Sequence, residues 1–332
     1  MGLFSFFALI LFFIPQAYSC QSANLYEIPD SPFLKIPIQI QKAGTCYAYS
    51  TAQLVNYELA RSGYDFRNIS PIWMAYAYTK IYETSSKNIS GGHDNQTLKA
   101  IQKIGLCPPQ TIEDAIRPYY KVLPPKGLIY AFEGILDRLE DKFENMNSCN
   151  GPKALFEDKL SDVSCRLHYL DVDKFTTDFG DILNKLDYMP ILDKVFSECA
   201  KQTSALPYKK NGIKWDARSK PFKEFQSKSE ELLKYSQKPF NISYCSNIYS
   251  DKDYKKDENC LHHSSVVVAQ RMYNEKCQLL IRDSNVIYEK EDTQSHSLNP
   301  YEHYYDSQGN ITGTWIDQES IWNNLESIFS LE

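Results

Sequence analysis

The spacing of apolar residues changes period once along this chain, and that change limits the fold more than any other feature. Near the start, Ala48, Ala52, Val55 and Leu59 recur at spacings of 4, 3 and 4, which is one face of a helix. Gly63 stands just past that face, where a left-handed C-cap is wanted. Near the end, Ser264-Ser265-Val266-Val267-Val268-Ala269 is rich in β-branched residues and bounded by polar ones, the pattern of a buried strand. Asn274-Glu275-Lys276 turns that strand into a second, Cys277 to Arg282. The chain reads as helical first and β-rich last.

More helices are expected between these ends. Ser70-Pro71 is an N-cap followed by a helix-start proline, and Ile72, Ala75, Tyr78 and Tyr82 continue one face. After Ser90-Gly91-Gly92 a helix runs through Leu98 and Ile101 and stops at Gly105. Leu128, Phe132, Ile135, Leu136, Leu139 and Phe143 trace a further stripe, and Phe222 to Tyr235 is a more polar helix. Pro124-Pro125, Cys149-Asn150-Gly151-Pro152 and Leu206-Pro207 punctuate this middle part as loops. The expected division is a leader over 1–19, a helical lobe over 20–107, a mainly helical insertion over 108–240, and a β-rich lobe over 241–332.

Leu3 to Pro15 is almost wholly apolar and is followed by Ala17-Tyr18-Ser19, which reads as a secretory signal with a small-x-small cleavage site. The run is short for a transmembrane helix. Cys20, directly after the cut, permits a lipid anchor, although Ala17 stands where Leu is usual. The expected location is therefore extracytoplasmic, with membrane attachment only through a lipid on Cys20. Export gives meaning to the nine cysteines: with Cys46 free, eight remain, enough for four disulfides of undetermined connectivity. Cys260 and Cys277 flank the expected hairpin and are expected to pair. No close Cys or Cys/His pair has zinc-ligand spacing, so no metal or other cofactor is expected. The net charge of −6, without a basic run, speaks against a nucleic-acid partner.

Chemistry gathers at three places. Cys46 falls in the first turn of the first helix, beside Gly44, where unpaired N–H groups and the helix dipole favour a thiolate. His263 stands at the mouth of the first strand and Asp283 at the end of the second. In an antiparallel hairpin those ends are neighbours, so the carboxylate can orient the imidazole. Residue order and strand context favour His263 over His262. His93, His168, His296 and His303 lack such a context and read as surface residues.

These strings also carry a family resemblance. Gly44-Thr45-Cys46-Tyr47-Ala48-Tyr49-Ser50 resembles the Gly-x-Cys-Trp-Ala-Phe-Ser signature of papain-like cysteine peptidases. Pro37-Ile38-Gln39-Ile40-Gln41 resembles the run into the family's oxyanion-hole glutamine. His263 to Ala269 is similar to its His-Ala-x-x-x-Val-Gly strand, and Leu280 to Asn285 to its x-x-x-Asn-Ser-Trp run. The likeness covers about residues 32–107 and 245–290. It implies an α+β, two-lobed fold with a helical N-terminal lobe and an antiparallel β lobe. It implies a monomeric, divergent, bacterial-type thiol peptidase acting on a peptide or protein through Cys46, His263 and Asp283. Gln41 would serve the oxyanion, with Gln39 as fallback, because Gln41 lies one residue closer to Cys46 than the family spacing. Gly91 and Gly92 would line the substrate groove and let a peptide backbone pair in extended form.

The chain departs from the family in three ways. Asp283 replaces the usual Asn, Asn285 replaces the Trp that shields the His–Asn bond, and residues 20–36 leave no room for a long inhibitory pro-segment. Two other readings follow. One is an inactive papain-like binding protein. The other is a transglutaminase-like acyltransferase, in which Cys, His and Asp occur in the same order, although its usual Cys-to-His interval is much shorter than the 217 positions (263 − 46) here.

Overall fold

The computed structural model describes residues 20–36, 38, 41, 44–64, 69–83, 86, 88–124, 127–145, 169–183, 188–202, 211–217, 220–249, 251, 253–284, 301–305, 309 and 311–332. The leader over 1–19, Gln39, Cys149, Cys165, His168, Asn285 and His296 lie outside the described residues.

The architecture is α+β, with helices in the N-terminal part and an antiparallel sheet in the C-terminal part. Helix α1 (Cys46–Arg61) is the central element, and every residue from Tyr47 to Leu59 is buried. Its end follows from Gly63, whose φ of +74° only glycine takes cheaply. There Gly63 N–H donates to Ala60 O and Tyr64 N–H to Leu59 O, the paired bonds of a Schellman cap. Helices α2 (Pro71–Tyr82) and α3 (Asp94–Ile104) pack against α1. Pro71 opens α2 as expected, but the Ser70 side chain makes no capping bond. Helices α4 (Pro109–Ile116) and α5 (Leu128–Asn145) follow, and Leu128, Phe132, Ile135 and Leu136 are buried on the expected stripe of α5.

Among the described residues the sheet holds eight strands: β1 (Ala23–Asn24), β2 (Gly212–Asp216), β3 (Phe240–Cys245), β4 (His262–Tyr273), β5 (Lys276–Arg282), β6 (Glu302–Tyr305), β7 (Ile311–Asp317) and β8 (Leu325–Leu331). Their order is β2-β8-β3-β4-β5-β7-β6, with β1 added beside β4. The expected hairpin is β4–β5. Its turn is the pair Asn274 and Glu275, with φ of +47° and +63°, the double left-handed conformation that matches strand twist. Val266 to Ala269 are all fully buried, so both faces of β4 are covered, one of them by α1. That is why this stretch lacks the alternation of a half-exposed strand. Strand β2 comes from the middle part of the chain, so that part contributes to the sheet as well as helices.

Three disulfides join described cysteines: Cys20–Cys277, Cys107–Cys199 and Cys245–Cys260. The expected Cys260–Cys277 bridge is therefore wrong. Cys277 lies at the turn end of the hairpin, opposite Met272, whereas Cys260 precedes β4 at the other end. A strand of that length separates them by roughly 40 Å at about 3.3 Å per residue. Cys260 instead meets Cys245, because β3 pairs antiparallel with β4 and sets Cys245 opposite His262. The Cys20 sulfur is bonded to Cys277, so in this form it offers no thiol to a lipid. Three bridges belong to an oxidising, extracytoplasmic compartment. Among the described residues, no helix is long and apolar enough to cross a membrane.

Candidate active site

A cleft of about 840 Å³ opens between the helical part and the sheet, lined among others by Gln41, Cys46, Gly91, Gly92 and His263. Cys46 is the first residue of α1, half-buried, and the free cysteine among the described residues. The Thr45 side chain makes no capping bond, so it does not take the first helical N–H groups from the cleft. α1 lies against β4, which sets Cys46 and His263 on the same cleft.

His263 Nε2 lies 2.7 Å from Asp283 Oδ1, and both side chains are almost wholly buried. The hairpin register produces this contact: Val266 pairs with Arg282, so the residues beyond them on each strand converge. With Nε2 engaged by the carboxylate, Nδ1 is the nitrogen left for Cys46. Burial pushes the imidazole pKa down; the Asp283 charge and hydrogen bond, together with Cys46, outweigh it and raise it to about 10. The ring therefore takes up a proton readily, with Asp283 holding the cation that results. His262 also lines the cleft but is largely exposed, with Nδ1 3.0 Å from Glu326 Oε1 rather than at Asp283.

The second oxygen of Asp283 is held by two tyrosines absent from the sequence reading. Tyr249 Oη donates to Asp283 Oδ2 at 2.9 Å, and Tyr244 Oη lies 3.4 Å from the same oxygen. The Tyr244 ring stands edge-on to the His263 ring, centroids 5.9 Å apart. Burial first, then the Asp283 charge, raises both phenol pKa values well above 10. They remain proton donors throughout the working pH range.

Gln41 sits at the cleft through two bonds to Ser284, the residue after Asp283. Its N–H donates to Ser284 O at 3.0 Å, and Ser284 Oγ donates to Gln41 Oε1 at 2.7 Å. Segment 20–36 is drawn along the sheet by β1, by the Cys20–Cys277 bridge and by Arg282. The Arg282 guanidinium is buried and donates to Gln53 Oε1 at 2.6 Å, to Tyr26 Oη at 2.7 Å and to Ile36 O.

Gly91 and Gly92 form one wall. Gly91 has φ of +74°, and its N–H donates to Gly44 O at 2.9 Å. At Gly92 the reason is packing: a Cβ there would lie 2.5 Å from the Tyr47 ring. Tyr47 in turn donates to Ile89 O at 2.8 Å. His93, expected as a plain surface residue, is exposed but lines the cleft beside Gly92. His303 lies on β6, 3.2 Å from Thr314 Oγ1 and away from the cleft.

Below the glycines, Asp94 joins three elements. Its Oδ1 accepts from Ser50 Oγ and Ser264 Oγ at 3.2 Å each and from Thr51 Oγ1 at 3.4 Å. Burial raises its pKa from 3.8 to about 6, against the hydroxyl bonds and the charge of Lys214. Ser50 lies one turn after Cys46 and Ser264 follows His263, so Asp94 ties together the two elements that carry the thiol and the imidazole. Among the described residues, no group of three His, Cys, Asp or Glu is placed to hold a metal ion.

No family model matches the sequence, and no curated protein matches it. Among solved structures, the chain is similar to xylellain, a cysteine protease from Xylella fastidiosa. The TM-score is 0.49 and the identity 14%, over 94% of this chain and 85% of that one. It is also similar to PepW from Lactobacillus rhamnosis, with TM-score 0.41 and identity 10%, over 88% and 79% of the two chains.

Proposed function

We propose that this chain is an exported thiol peptidase that hydrolyses peptide bonds through Cys46, His263 and Asp283. One observation carries the reading: a free thiol and a buried imidazole line the same cleft, and a buried carboxylate holds the imidazole at 2.7 Å through one nitrogen. That arrangement moves a proton between sulfur and substrate while the carboxylate keeps the ring in register and stabilises its cation.

The Cys46 proton passes to His263, and the sulfur attacks the scissile carbonyl carbon. The C–S bond forms as the carbonyl π pair moves onto oxygen. The Cys46 backbone N–H and the Gln41 amide meet that oxyanion. With Oε1 of Gln41 engaged by Ser284, the NH2 end is the donor that serves it. The oxyanion then collapses, the C–N bond breaks, and the amine leaves with the His263 proton. Water, deprotonated by His263, attacks the thioester and releases the acid, and the sulfur recovers its proton. Gly91 and Gly92 leave room for an extended peptide backbone along the cleft wall.

The test is Cys46→Ser with a set of fluorogenic peptides, alongside mass spectrometry of the wild type after an epoxide thiol reagent. The expected result is one label, on Cys46, with cleavage abolished in the variant and its fold retained. Wild-type cleavage by Cys46→Ser, or peptide cleavage that survives complete labelling, would overturn the proposal.

A further inference from the structure

The carboxylate beside His263 does not stand alone. Asp283 is 1% exposed, and a carboxylate buried so deeply takes up a proton unless donors hold its charged form. His263 occupies Oδ1. Counting protons settles how Oδ2 is served. Each phenol has one proton to give. Tyr249 spends its own on Asp283 Oδ2 at 2.9 Å. The Tyr244 proton then goes to the Tyr249 oxygen, 2.8 Å away, a much shorter contact than its 3.4 Å to the carboxylate. Ser265 Oγ, 3.0 Å from Tyr244 Oη, donates in turn to the Tyr244 oxygen. The result is a one-directional chain of donors, Ser265 to Tyr244 to Tyr249 to Asp283. In such a chain each bond polarises the next.

We infer that Tyr249, backed by Tyr244 and Ser265, is the positioning residue that keeps Asp283 ionised and aimed at His263. The inference rests on the Cys46–His263–Asp283 reading and deepens it. It also assigns a task to residues that no family string contains. Tyr249 lies in the short helical turn Ser246–Tyr249 after β3, and Tyr244 lies on β3 opposite His263. Cys245 lies between the two tyrosines in sequence, and its bridge to Cys260, 15 positions on, closes the excursion that carries Tyr249. Tyr301 adds an aromatic ring at a right angle to Tyr249, centroids 6.5 Å apart. Oδ2 of Asp283 is thus served by a hydroxyl of the turn after β3, which a hydroxyl of β3 backs.

The experiment compares the wild type with Tyr249→Phe, Tyr244→Phe, Asp283→Ala and the double variant Tyr249→Phe/Asp283→Ala. Two readouts are taken across pH: peptide turnover, and the rate of Cys46 alkylation by iodoacetamide, which needs no substrate. Phe keeps the ring and removes only the hydroxyl, so a packing role would leave Tyr249→Phe unchanged. The expected result for Tyr249→Phe is kcat lower by about tenfold, the scale of a lost hydrogen bond to a charged group, with KM within about twofold. The acid limb of both profiles should move up by about one pH unit, because the carboxylate has lost a donor to its charged form. Tyr244→Phe should do the same more weakly, since it acts through Tyr249. In the Asp283→Ala background, Tyr249→Phe should add nothing. Wild-type kcat and pH profiles in Tyr249→Phe would overturn the inference. So would an undiminished effect of Tyr249→Phe once Asp283 is Ala. If the wild type cleaves no peptide, the alkylation profiles still decide: a shift in Tyr249→Phe upholds the chain of donors although the peptidase reading falls, and no shift refutes it.

Discussion

Replacing Asp94 by Asn should make the protein more stable at neutral pH than at acid pH relative to the wild type. The folded protein raises the Asp94 pKa from 3.8 to about 6, chiefly by burial. At about 1.4 kcal/mol per pH unit, ionising this one group weakens the folded state by about 3 kcal/mol. The sign follows from linkage: a carboxyl whose pKa is raised by folding binds its proton more tightly in the folded state. Its stabilising contribution is complete below pH 3.8 and is lost as pH climbs through about 6. Asn does not titrate, and its carbonyl oxygen still accepts from Ser50 and Ser264. The substitution carries a roughly constant cost of about 1 kcal/mol for the lost charged acceptor, and that constant cancels between pH values. Between about pH 4.5 and pH 7.5, the stability of Asp94→Asn minus that of the wild type should rise by about 2 kcal/mol. The assay is urea unfolding followed by tryptophan fluorescence, with Cys46→Ala in both proteins to prevent self-digestion. His263 is present in both and drops out of the difference. A gap that stays flat, or that shrinks as pH rises, would refute the argument that burial of Asp94 outweighs its three hydroxyl donors.

Other substitutions probe the site from different sides. Asp283→Ala should lower turnover less than His263→Ala, because the orienting group is not the proton carrier; equal losses in steady-state kinetics would assign Asp283 a larger part. Gly92→Ala should cost about 1–3 kcal/mol, since the added methyl meets a Tyr47 ring that its bond to Ile89 prevents from yielding, and a thermal midpoint equal to that of wild type would contradict this. Peptide mapping without reductant should recover Cys20–Cys277, Cys107–Cys199 and Cys245–Cys260. A Cys260–Cys277 peptide would reverse the pairing given by the strand register.

Local chemistry made part of this protein legible in its sequence. The 4-3-4 stripe ending at Gly63 marks α1, and a glycine-led Cys46 at its start marks the proposed nucleophile, because both depend only on neighbours along the chain. The β4–β5 hairpin is equally local: Asn274-Glu275 closes it, and the register of two adjacent strands then carries Asp283 to His263. The stripe of α5 was readable for the same reason. The tertiary structure alone decided which distant groups meet. Tyr249 reaches Asp283 across 34 positions and Ser264 reaches Asp94 across 170, and neither partner differs locally from an ordinary turn tyrosine or helix-start aspartate. The disulfide pairing failed as a sequence inference because nearness to the hairpin in sequence does not say at which end of a long strand a cysteine lies. Register, strand order and the seating of α1 on β4 supply that information. They come from burying one shared core, which no window of the sequence contains.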